Sequence, residues 1–240
     1  EKVDSAEQAD YCHSLGFDLF QGYYFARPMV LSAKHMDPGQ MALIQLLGLL
    51  IRDADTQQIE QIFKQHPNLT YNLLRLVNSV ACVRRSIPSV SQAIMVLGRK
   101  QLRRWLQLLM FTLESGSAYP SPLLLLAATR GKMMELLAIK QQHHADCCEE
   151  AFMAGILSLI ESLIDKPLAD IVKELNLGER LSAALLRREG ELGILLQLVE
   201  SVEHLDLDYT HLLLAQTGAL SLSDLTAAEI EAMSWANQIA

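Results

Sequence analysis

From Gln61 to Leu113 the chain has no aspartate and no glutamate, although it holds 28 of them elsewhere. Eight basic residues fall in that window: Lys64, Arg75, Arg84, Arg85, Arg99, Lys100, Arg103 and Arg104. The remainder carries 12 basic against 28 acidic residues, so the net charge of −8 hides a strong local asymmetry. An overall excess of acid argues against a general nucleic-acid binder, which needs a basic surface to track phosphates. Aromatic residues are scarce, at 6%. The core must therefore come from Leu, Ile, Val, Ala and Met, the usual filling of packed helices. Cys12, Cys82, Cys147 and Cys148 form no CxxC pair and no framework spacing, which excludes a disulfide scaffold and fits a reducing compartment. No uncharged apolar run reaches the roughly 18 residues of a membrane span, and no signal-peptide pattern stands at the start. The expectation is a soluble cytoplasmic protein. A glycine-rich phosphate loop, a helical HExxH and a Ser-His-Asp order are also missing, as is any internal repeat.

What is present is apolar periodicity. Half the residues are hydrophobic, enough for a sizeable core. In the stretch from Asn68 to Trp105, Leu69, Leu73, Leu76 and Val77 make one helical stripe, and Ile87, Val90, Ala93, Ile94 and Leu97 make the next. Gly98 follows at the place of a left-handed C-cap. Asp37 before Pro38 marks the start of a helix through Ile51, and Asn68 is placed to cap the helix after Pro67. The breaker from Ser115 to Pro122 separates two helical layers. Further helices are expected over 123–142, 148–164, 178–188, 192–204 and 209–216, with one starting at Pro167. Thr226 and Glu229 suit a capping box in the last helix, with Ile230, Met233 and Trp235 in its apolar face.

The blocks LLRLVNSVA, IPSVSQAIMVLG and RKQLRRWL resemble, in order and spacing, the HDOD domain, the HD-related output domain of bacterial signalling proteins. ERLSAALLRREGELGILLQLVE and LSLSDLTAAEIEAMSWAN resemble its closing part, so the likeness covers 38–239. The resemblance implies an all-α, compact multi-helix HD-like domain over 32–240, acting as a signalling output module through a protein partner; apolar helical faces in excess of one core leave a homodimer surface as an alternative use. Residues 1–31 resemble the end of an EAL domain, the barrel that hydrolyses cyclic di-GMP. EKVDS stands at that family's late acidic motif and FDLFQGYYFARP at its QGY and closing proline. Glu1 and Gln21 match active-site positions there, while the rest of the barrel is absent, leaving a short α/β remnant.

Catalytic HD phosphohydrolases hold metal with a His-Asp pair in a pattern like GLLHDIG. The matching stretch here is AGILSLIES, which puts Ser158 and Leu159 in the pair's place. Leucine cannot ligate and a lone hydroxyl is a poor ligand, so the expectation is no enzyme and no cofactor. The alternative kept open is a metal-dependent phosphohydrolase. His143, His144, Asp146, Cys147, Cys148 and Glu149 form one cluster of ligand-type residues, read either as a zinc site or as a polar interhelical turn. Arg99, Lys100, Arg103 and Arg104 share a helical face and, with Arg84 and Arg85, would meet an acidic partner, a nucleotide or nucleic-acid phosphate, or else form a solvated face. Asn78 and Ser79 are family positions suited to pairing backbone groups at a corner. Trp105 and Trp235 sit on apolar stripes as core residues.

Overall fold

A computed structural model describes residues 11–17, 38–80, 87, 89–112, 122–164 and 166–239, with the backbone alone at Ser79 and Val80. The chain divides into two compact units, Glu1–Lys34 and His35–Ala240. In the first, residues 11–14 are helical and Gly16, at φ 84°, ends the turn. Beyond Phe17 the FDLFQGYYFARP stretch, and with it the β part of the expected α/β remnant, falls outside the described residues, as do Glu1, Gln21, Asp37, Arg84 and Arg85.

The second unit is all helical among the described residues. Helix α1 (Pro38–Ile51) buries Leu43, Ile44, Leu46, Leu47 and Leu50, which cover most of its circumference. Helix α2 (Thr56–Gln65) starts where the Asp55 carboxylate accepts the Gln57 N–H at 3.1 Å, and it turns Ile59 and Phe63 inward. Helix α3 (Pro67–Val80) begins at the proline, one residue before the expected cap at Asn68, because proline needs no N–H partner there. Helix α4 (Val90–Leu97) is capped by the Ser89 hydroxyl. Gly98 joins it directly to α5 (Arg99–Leu109). Its φ 78° and ψ 151° are not the expected left-handed helical cap; they lie in a region open essentially to glycine alone, which lets two helices meet at a sharp corner. Helix α5 ends at Leu109.

Two helices carry the centre, α6 (Pro122–Lys140) and α7 (Ala145–Leu157). They cross with backbone against backbone: a Cβ on Gly155 would stand 2.6 Å from Gly131 Cα, and one on Gly131 would stand 2.9 Å from Ile156 Cγ1. A 3-10 turn (Ile160–Ser162) and α8 (Leu168–Glu174) follow, then α9 (Glu179–Arg187), α10 (Gly190–Glu203), α11 (Leu207–Thr217) and α12 (Leu222–Ile239). The last helix is started by Ser221 and Asp224, not by Thr226 and Glu229: Asp224 accepts the Ser221 N–H at 3.0 Å while Ser221 accepts the Asp224 N–H at 3.2 Å. Its buried stripe is Leu225, Ala228, Ala232 and Ala236, small residues that let it lie close on α6. Ile230 and Met233, expected inside, are 64% and 49% exposed. Trp235 packs edge-on to Phe152 with ring centroids 6.0 Å apart, and Trp105 packs partly buried against the core. No helix among the described residues is long and apolar enough to cross a membrane.

Candidate functional site

Helix α5 was expected to offer its cations to a partner; the fold turns most of them inward. Arg99 donates to the Ala54 carbonyl at 2.6 Å, to Thr56 Oγ1 at 3.0 Å and to Asp53 at 3.1 Å. Arg103 donates to the Leu50 carbonyl at 3.3 Å, so two guanidinium groups serve the carbonyl-rich end of α1 and the turn after it. Arg104 points the other way. It bridges Glu135 of α6 and Glu149 of α7, the latter through two hydrogen bonds, with its Cζ 4.5 Å from the Phe152 ring centroid. Lys132 pairs with Glu135 and Lys100 with Glu149, each at 2.9 Å. Burial pushes the Glu135 carboxyl up, but hydrogen bonds from Arg104 and Lys132 outweigh it and hold the group below its ordinary range. Burial lowers Arg104, and its two carboxylate partners more than reverse that. Lys100, 54% exposed, remains the cation of this face most open to a partner.

Asn78 closes the corner after α3. Its Oδ1 accepts the Ile87 N–H at 2.8 Å and its Nδ2 donates to the Leu74 and Ile87 carbonyls at 2.8 and 3.2 Å. An amide is the side chain that matches both halves of a peptide group.

The His143–Glu149 cluster is spent on local contacts. His144 stands at the N-cap of α7 without a side-chain cap bond, and the buried Cys148 thiol donates to the His143 carbonyl at 3.7 Å. Burial pushes that thiol up, away from the thiolate a metal would need. Cys147 Sγ accepts from Arg180 at 3.1 Å, and Glu149 belongs to Arg104 and Lys100. Among the described residues no three His, Cys, Asp or Glu side chains gather as a metal site.

Ser158 lies one residue past α7, and the glycine crossing sets it beside α6. Its Oγ donates to the Gly155 carbonyl and accepts from Arg130 Nη1, each at 2.7 Å. Arg130 is buried and also binds both oxygens of Glu203, at 2.9 and 2.5 Å. Glu200 lies 3.5 Å away and is held in turn by Arg188 at 2.8 and 3.1 Å. Leu159 packs against the core. An HD-type metal does not fit this donor set: one position has no lone pair, and the other faces a fixed guanidinium. Sequence reasoning missed Arg130, Glu200 and Glu203. The available signal was an arginine directly before Gly131, just after the apolar run of Leu123 to Ala128 in α6.

The HDOD domain family matches residues 42–165. The chain is 30% identical over 241 residues to the protein named cyclic di-GMP phosphodiesterase CdgJ from Vibrio cholerae; the match takes in all of this chain and 55% of that protein. It is 28% identical over 207 residues to the uncharacterized protein YuxH from Bacillus subtilis, covering 85% of this chain and 50% of YuxH. A crystal structure of a candidate phosphohydrolase from Shewanella amazonensis superposes with a TM-score of 0.50 at 16% identity, covering 83% of this chain and 93% of that one. The chain spans about half the length of the curated relatives it matches. The name of the first of these corrects the expectation of no enzyme: a relative alike along the whole chain is named a phosphodiesterase. That expectation rested on two constellations, the pair position at Ser158 and Leu159 and the EAL residues, and reached too far in extending their loss to the protein.

Proposed function

The chain belongs to the HDOD family, and from that premise we propose that it is part of a bacterial cyclic di-GMP phosphodiesterase, the helical body serving as its signal-responsive portion. The observation that carries this is the likeness to CdgJ, which runs through residues 1–37 as well as through the helical unit. We read EKVDS and FDLFQGYYFARP, which resemble the end of an EAL domain, as the join of this helical unit to a phosphodiester-cleaving one. The geometry supports a relay. Arg104 ties α5 to α6 and α7 in one ion network, so a displacement of α5 by a partner would be felt at the centre of the fold. Lys100, the most exposed cation of α5, is with Arg84 and Arg85 the contact proposed for an acidic protein partner or a second copy. No hydrolytic step is derived through a metal at Ser158, where the donors do not fit.

The test is turnover of cyclic di-GMP by the natural protein that carries this chain, with manganese or magnesium, followed by chromatography of the linear dinucleotide. Formation of linear product at a rate proportional to protein is expected. Intact cyclic dinucleotide after prolonged incubation with protein at substrate-like concentration would overturn the proposal.

A further inference from the structure

We propose that Arg130 is a built-in cation: its guanidinium supplies, at the position where HD phosphohydrolases hold metal, the positive charge that draws α6, α7 and α10 together. Three observations converge on it. Ser158, which stands in the place of the metal-binding pair, gives its hydroxyl oxygen to Arg130 at 2.7 Å. Glu203 gives both carboxylate oxygens and Glu200 approaches to 3.5 Å, so oxygen ligands from two further elements surround one cation. The Arg130 side chain is only 6% exposed, and among the described residues its charge is balanced by Glu200 and Glu203. The position is delivered by the close crossing of Gly131 and Gly155, which brings Arg130 and Ser158 to the same level of the two helices.

Charge counting explains why a metal is not needed. Arg130 and Arg188 face Glu200 and Glu203, so the cluster is neutral as it stands. A divalent ion added to it would leave two uncompensated charges in a poorly solvated site. Removing Arg130 reverses the balance. Two carboxylates and a hydroxyl would then line the space vacated by the guanidinium with a net negative charge, and such hard oxygen donors suit magnesium or manganese.

The experiment is thermal unfolding of the chain, its Arg130→Ala variant and the Arg130→Met/Glu203→Gln double variant, each in chelator and in millimolar manganese. The parent midpoint is expected to be the same in both media. Arg130→Ala should melt about 6 °C or more below the parent in chelator and regain part of that loss with manganese. The double variant, which deletes the pair together, should melt above Arg130→Ala in chelator and show no manganese response. If Arg130→Ala does not fold in chelator, its folding on manganese addition replaces the midpoint as the readout. A parent midpoint that rises with manganese, an Arg130→Ala variant as stable as the parent, or one that manganese leaves unmoved would each overturn the proposal. The readout is stability, so it is separable from turnover of cyclic di-GMP.

Discussion

The same substitution, glycine to alanine, should have opposite signs at two helical positions of this fold. At Gly155 the new methyl would lie 2.6 Å from Gly131 Cα and 2.7 Å from Gly131 N, whereas ordinary contact begins near 3.4 Å. The obstacle is backbone, which cannot rotate away, so α6 and α7 must part by on the order of 1 Å at the best-packed place in the protein. Overpacking of this kind costs about 3 kcal/mol at the upper end of its usual range, and the better helix propensity of alanine returns about 1 kcal/mol. The net loss of about 2 kcal/mol corresponds to a midpoint roughly 4–8 °C lower for a domain of this size. At Gly48, in α1, the added Cβ would find its nearest neighbour at 3.9 Å. Only the propensity gain remains there, about 0.5–1 kcal/mol, and the midpoint should rise by about 1–4 °C. Far-ultraviolet circular dichroism on heating measures both. Gly155→Ala melting at or above the parent, or below Gly48→Ala by less than about 2 °C, would refute the argument from helix contact.

Two further outcomes follow from the ion pairs. Arg104→Met leaves the buried Glu135 and the half-buried Glu149 without their shared cation and should cost about 3–5 kcal/mol at neutral pH in urea unfolding. Glu135 titrates below its ordinary value of 4.5 when folded, so its contribution is complete above that pH and drains away as the pH falls below it; the gap between parent and variant should narrow in the same window. A gap under about 1 kcal/mol at neutral pH, the usual worth of a surface pair, would contradict the burial argument. Asp224 is held at about 2, from an ordinary 3.8, first by the Ser221 hydroxyl and then by Lys140 and the Ser221 N–H. Its folded value lies below its unfolded one, so the stability it adds is intact above about pH 4 and is lost between there and pH 2. Melting curves of the parent and Asp224→Asn should converge across that window, and a constant offset would refute the assignment.

Helical periodicity made the fold class and most helix positions legible, because Leu69, Leu73 and Val77, or Val90, Ala93 and Ile94, repeat at the spacing one buried face requires. Errors of one to a few residues arose where side chains compete locally, as when Ser221 and Asp224 cap α12 ahead of Thr226. The misplaced face of α12 has a different cause: three alanines bury little area each and do not stand out beside Ile230 and Met233, yet close approach to α6 favours the smaller residues. The site was harder to read. The cations of α5 were visible as a charge asymmetry, but the acids they pair with lie 31 to 49 positions away, and no local pattern links them. Arg130 is separated from Glu203 by 73 positions, and only the fold joins them.

The clasp between Asn78 and Ile87 spans nine positions with hydrogen bonds and no covalent link. It fixes the separation of α3 from the start of α4 through hydrogen bonds at the two ends of the connection. Lengthening that intervening segment should therefore be tolerated: each doubling adds only about 0.6 kcal/mol of closure entropy. Added chain length at that point is expected to leave α3 and α4 in register, since the Asn78 amide holds the two ends together whatever lies between them.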